Sequence, residues 1–148
     1  NWGAGKYSRV RAVEKCCFTA SGIVSLLAVC VIALLPEQIT RLFVADAGPE
    51  ILSMSVGALR LFSITYVTRW FSFATQSYML AVEKPLPASV ISVSTALIFP
   101  VLLIVVLWPL GLTGIWLNFA GTAVLAAVLS VIVLLRVRGE LVRADTES

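Results

Sequence analysis

Four apolar runs dominate this chain, separated by short polar stretches. A helix needs about 20 residues, rising 1.5 Å each, to cross about 30 Å of hydrocarbon. CCFTASGIVSLLAVCVIALL, Cys16 to Leu35, carries no charge and stops at Pro36. Leu86 to Trp108 and Leu112 to Leu135 are likewise uncharged. The remaining run, Ile51 to Val82, contains Arg60 and Arg69 and exceeds one crossing. Its first part, Glu50 to Arg60, reads as an interfacial lead-in, and Leu61 to Val82 as the span. The pattern predicts an all-α polytopic transmembrane helix bundle. Its four spans fall at about 16–35, 61–82, 86–108 and 112–135, and a tail over 139–148 follows.

The polar positions predict sidedness. Basic residues in short loops favour the cytoplasmic face. Lys6, Arg9, Arg11 and Lys15 precede the first span, Lys84 lies between the second and third, and Arg136, Arg138 and Arg143 follow the fourth. The loop after the first span holds Arg41 alone among Glu37, Asp46 and Glu50, and the turn WPLGLTG holds no charge. Both termini are therefore expected in the cytoplasm of a cell with a multi-pass protein in its cytoplasmic membrane. Trp108 and Trp116 flank the external turn, where indole rings suit the headgroup level. Pro85 and Pro87 open the third span, where a missing amide donor is harmless, and Pro100 predicts a kink in it. Small residues four apart, Cys17, Ser21 and Ser25 on the first span and Ala123 and Ala127 on the fourth, suit close helix packing in lipid.

Composition agrees and narrows the chemistry. The chain is 59% hydrophobic and 13% charged, against about 45–50% apolar and about 25% charged in soluble domains. A net charge of +3 is too small to suggest nucleic acid. Histidine is absent, which removes the commonest metal ligand and general base. The three cysteines, Cys16, Cys17 and Cys30, have no CxxC spacing and read as small packing residues. No resident cofactor is expected, and no paired nucleophile and base suggests an enzyme. No cleavable signal peptide is recognisable, and a chain starting Asn1-Trp2-Gly3 is expected to be a fragment.

The opening NWGAGKYSRVRAVEK contains part of a phosphate loop. That loop requires GxxxxGK[ST] between a strand and a helix, because successive amides must surround the phosphates. GAGK is too short and lacks the hydroxyl residue after Lys6. A cytoplasmic turn, with Ser8 capping the next helix, fits better.

That turn carries a resemblance. NWGAGKYSRV is similar to the N-x-G-A-x-(K/N)-x-x-R-V turn before a helix in each half of multidrug and toxic compound extrusion (MATE) transporters. GALRLF resembles the family's external helix start. SYMLAVEKPLPASVIS sits where the family has its aromatic-x-x-Ala-x-Gly-Lys turn. IFPVLLIVVL and GLTGIWLNF resemble its proline-bearing helix and external Gly-Leu-x-Gly-(Val/Ile)-Trp turn. The likeness covers almost all of residues 1–138. It implies the ninth to twelfth spans of a twelve-span transporter, in its C-terminal six-helix lobe. The partners implied are the bilayer, the remaining eight helices and a small-molecule substrate.

Such resemblance implies export of bulky amphipathic compounds in exchange for inward H⁺ or Na⁺. Coupling needs an intramembrane carboxylate whose occupancy biases two lobe arrangements. Glu14, Glu37, Asp46, Glu50, Glu83, Glu140, Asp145 and Glu147 all fall in loops, helix ends or the tail, so the coupling ion is expected to bind outside this chain. Val93-Ser94 stand where many relatives have an Arg-Gln pair, Ala120 and Ala123 near where relatives often carry a proline and an acid, and Glu83 at the usual glycine of the internal turn. Candidate cavity residues are Arg69, Tyr66, Tyr78, Gln76 and Asn118, with Thr75. Arg69 could snorkel toward the interface or face a cavity between lobes; in the cavity it would favour anions over cations. Two alternatives to the antiporter stand: a related lipid-linked-sugar flippase, and a non-transporting membrane anchor or interaction module.

Overall fold

The computed structural model describes residues 1–44 and 48–146, with side chains described up to residue 139. Asp46 and Glu147 lie outside the described residues, as do the side chains of Glu140, Arg143 and Asp145. Six α-helices follow in order: α1 (Tyr7–Leu34), α2 (Pro36–Phe43), α3 (Pro49–Ala81), α4 (Pro85–Val93), α5 (Phe99–Leu107) and α6 (Gly111–Thr146). A π-helical turn, Ser94–Ile98, joins α4 to α5, and a 3₁₀ turn, Trp108–Leu110, joins α5 to α6. No strand occurs among the described residues.

Three helical stretches are long and apolar enough to cross a membrane: Tyr7–Leu34, Pro49–Ala81 and Pro85–Gly139. The third is folded into two legs. At Gly111 the backbone takes φ 57°, ψ −131°, a conformation that only glycine adopts without strain, and the chain reverses. Gly114 then lies against the Leu107 carbonyl, and Asn118 bonds the carbonyl of Pro100. Residue numbers fall along one leg as they rise along the other, so α5 and α6 are antiparallel. Each of the four apolar runs thus occupies its own leg.

The remaining packing follows from similar pairs. Ser25 Oγ donates to the Tyr66 carbonyl at 2.5 Å, and Phe18 meets Phe71 edge-on at 5.6 Å, which makes α1 antiparallel to α3. Phe62 packs on Phe119 at 5.0 Å, and Ser130 Oγ donates to Ser72 Oγ at 3.1 Å, which makes α3 parallel to α6. The start of α1 and the end of α6 therefore meet at one end of the bundle. There Arg138 donates through Nε and Nη2 to one carboxylate oxygen of the buried Glu14. The turn at Lys84 lies at this end too. Lys6, Arg9, Arg11, Lys15, Lys84, Arg136 and Arg138 thus share the terminal end, and among the described residues Arg41 lies at the other.

The interior is more polar than apolar. Among the described residues eleven polar or charged side chains are buried, against eight hydrophobic ones. Leucines, valines and isoleucines instead cover the outside, Leu34 and Val105 among them. Water would oppose this distribution strongly, whereas lipid permits it and small polar residues bring helices together. A buried hydrophobic cluster, Met79, Ala88, Leu134 and Val137, seals the terminal end.

Several local expectations are corrected. Helix α1 begins at Tyr7, with Lys6 as N-cap and no side-chain cap. Ser8 lies inside the helix and does not cap it, because Gly5, at φ 66°, already turns the chain and Lys6 N–H bonds the Asn1 carbonyl at 3.0 Å. The lead-in before Arg60 is continuous with the span in α3. The loop after Leu35 contains α2, whose Pro36 occupies the first helical turn. The packing stripe on α6 runs through Ala123, Ala126 and Ser130. The irregularity expected at Pro100 is taken up by the π turn just before it, since a wider turn accommodates the missing amide donor. The first part of the segment read as a tail continues α6.

Candidate functional site

Two cavities flank the middle of α3 and share Arg69 and Phe119. The first, about 910 Å³, lies between α3, the π turn, α5 and α6, in the half of the bundle nearest the Gly111 turn. Thr95, Pro100, Asn118 and Thr122 supply its polar atoms, and Ile104, Leu107, Trp108 and Ile115 line its apolar wall. The second, about 820 Å³, lies between α1 and α3, against Ser21, Ser25, Thr65, Tyr66 and Trp70.

Local structure fixes the polar groups. Thr122 Oγ1 donates to Asn118 Oδ1 at 3.1 Å, one helical turn away. Asn118 Nδ2 donates to the Pro100 carbonyl at 3.3 Å. A carbonyl oxygen has two lone pairs, so one within a helix can accept such a bond. The Asn118 amide is thereby oriented, with its oxygen engaged and one N–H left over. Thr95 Oγ1 is turned back to the Ile91 carbonyl at 2.7 Å, a local bond typical of threonine within helices. Only the fold brings these groups beside Arg69.

Arg69 is half-buried. Its Cζ sits 5.5 Å from the centroid of Phe73, a cation–π contact one turn nearer the terminal end. The side chain is therefore folded along α3, and it is not extended toward the boundary near Arg60. The nine-residue spacing of these arginines places them on opposite faces of α3, at about 100° per residue. No acidic side chain lines either cavity among the described residues. Glu14 is buried but occupied by Arg138.

The predicted residues are thus divided. Arg69 and Asn118 share the first cavity, and Arg69 and Tyr66 the second. Tyr78 belongs to a separate cavity of about 410 Å³ at the terminal end, beside Glu14, Cys17 and Phe18. Gln76 lines none of these three. Thr75 is fully buried, its hydroxyl without a partner. Thr95, Thr122 and Phe119 were not legible as cavity residues; the only signal in their favour was a hydroxyl or ring within a span.

The family model described as MatE matches residues 1–106. The chain belongs to the MatE family. Comparison with curated proteins and with solved structures finds no match. A MatE chain is part of a multi-pass membrane transporter, and the inside-out distribution of its side chains agrees. The matched region ends within α5. Asn118 and Thr122 lie beyond it, on α6, and reach the cavity through the hairpin at Gly111 and the packing of α6 on α3.

Proposed function

We propose that this chain is the C-terminal segment of a MATE-type antiporter that exports amphipathic compounds in exchange for H⁺ or Na⁺ by alternating access. Its neighbours in the bilayer are then the other eight helices, and the coupling ion binds among them. The basic terminal end faces the cytoplasm, in a cell membrane, because arginine and lysine are retained on that side. The observation that carries this reading is the cavity of about 910 Å³ beside Arg69. Sites of roughly 300–1,000 Å³ with apolar walls and a few placed polar groups suit drug-sized ligands. A transporter binding site at mid-membrane between moving parts has the same character.

The test is transport by the full-length protein in proteoliposomes. Imposed H⁺ or Na⁺ gradients should drive accumulation of an amphipathic dye, and collapsing the gradient should abolish it. Dye movement indifferent to both gradients would rule out antiport. Arg69 favours a second reading, flipping of lipid-linked sugars, whose phosphates need a cation. Translocation of such lipids without any ion gradient distinguishes it.

A further inference from the structure

The unusual feature of the paired cavities is their surplus of hydrogen-bond donors. Arg69 presents five N–H groups, and among the described residues its guanidinium meets the face of the Phe73 ring, which leaves the guanidinium edges uncommitted. Asn118 has its oxygen engaged by Thr122 and retains one N–H. On α3 the buried hydroxyls of Thr65 and Thr68, one turn and one residue before Arg69, have no partner. Thr65 lines the second cavity. Among the described residues no carboxylate balances this set, because Glu14 is taken by Arg138 at the terminal end. A fixed positive charge in a low-dielectric wall attracts anions and repels cations more strongly than it would in water. Guanidinium also matches the planar oxygens of carboxylate, sulfonate and phosphate.

We infer that the cavities around Arg69 bind an amphipathic anion, its oxyanion received by the guanidinium and the Asn118 amide, its apolar body lying along α5 and α6. This rests on the transporter reading above and gives it a substrate class. The apolar side of the site suits such a body: Ile104, Leu107 and Ile115 form a continuous wall, and Trp108 stands at its end. The shared chemistry is an oxyanion on an apolar frame, carried either by a soluble organic acid or by an anionic lipid headgroup.

Fluorescein and rhodamine 123 share a ring frame and carry opposite charge, which makes them the probe pair. The full-length protein is placed in phosphatidylcholine nanodiscs for binding by anisotropy, and in phosphatidylcholine vesicles for uptake. Fluorescein should bind in preference to rhodamine 123. Arg69→Gln should weaken fluorescein by about 10- to 100-fold, the range for a charged hydrogen bond, and improve rhodamine 123. Arg69→Lys, which keeps the charge without the fork, should lie between. Including phosphatidylglycerol should compete with fluorescein if a lipid headgroup is the natural occupant, and leave it unchanged if a soluble acid is. A fluorescein-to-rhodamine ratio identical in wild type and Arg69→Gln, with dye still moved, overturns the inference and leaves the transporter reading intact. Failure of the folded wild type to bind or move either dye removes both.

Discussion

The ion pair between Glu14 and Arg138 joins the first and last helices at the terminal end, and its two members are unequal. The Glu14 side chain is 4% exposed, whereas that of Arg138 is 48% exposed. Removing arginine therefore strands a buried carboxylate, while removing glutamate returns a half-exposed guanidinium to water. Breaking a fully buried pair from one side costs about 3–5 kcal/mol. Partial exposure of Arg138 lowers this, because part of its attraction is already screened. Arg138→Met should thus cost about 2–3 kcal/mol, near the upper end for a charged hydrogen bond. Glu14→Met should cost about 1 kcal/mol or less, since an exposed arginine needs no partner. With both replaced, the neighbourhood becomes apolar, next to Phe18 and Tyr78, and the double variant should return to within about 1 kcal/mol of wild type. Denaturant titration of the full-length protein in mixed micelles, followed by tryptophan fluorescence, measures all three. Equal costs for the single variants, or a double variant whose cost is their sum, would refute the reasoning.

Three further outcomes follow from local geometry. Glu83 has φ 58° and sits just past α3, where Lys84 N–H bonds the Met79 carbonyl at 2.8 Å and Glu83 N–H that of Leu80 at 3.2 Å. This helix end usually carries glycine, so Glu83→Gly should stabilise the protein by about 1 kcal/mol in the same titration; a loss would show that the side chain has a compensating role. Gly114→Ala would press a methyl onto the Leu107 carbonyl oxygen, whereas Gly121→Ala would meet only a Leu103 methyl at 3.0 Å. The first should cost about 1–3 kcal/mol and the second clearly less, because a side chain can rotate aside; the reverse order would mean that the α5–α6 hairpin does not close on Gly114. With Cys16, Cys17 and Cys30 replaced, Thr113→Cys should react with an impermeant maleimide on intact cells and Lys84→Cys only after the cells are broken open. The opposite pattern would invert the assigned sidedness.

The helices were legible because the bilayer imposes one dominant rule, a length of predominantly apolar residues, and all four runs obey it despite Arg60 and Arg69 in the second. What hydropathy could not supply was the finer register. Helix α2 was hidden because PEQITRLF is too short and too polar to register as a span, although its proline start is a recognisable helix signal. The π turn leaves no mark in composition; Pro100 indicated that the ladder must break, but not which turn would widen. At the site, Arg69 was conspicuous as a charge within a span, yet Asn118 lies 49 positions away on another leg. Tyr78 shows the opposite failure. It belongs to the same helix as Arg69, but nine residues further on place it on the other face and about 13 Å along the axis. Glu14 and Arg138, with |i−j| of 124, each looked like one more headgroup charge.

The two halves of the α3–α6 contact differ in a way that connects these observations. Toward the terminal end the helices touch directly, through Ser72 and Ser130 and then through Met79, Leu134 and Val137, with the Glu14–Arg138 pair beyond. Toward the Gly111 turn the first cavity lies beside the same two helices, with Arg69 where the tight half ends. Small residues and a hydrogen bond permit close approach on one side of Arg69. On the other, the tilted rings of Phe62 and Phe119, with centroids 5.0 Å apart, make the contact between the two helices. Such a seam does not require hydrophobic burial to hold it, because lipid supplies no such force between helices. Its strength is set by a few short polar contacts and one ion pair. Loosening that pair should therefore weaken the closed half before it affects the cavity. Fluorescein affinity in Arg138→Met should change far less than stability does, whereas in Arg69→Gln the order should be reversed.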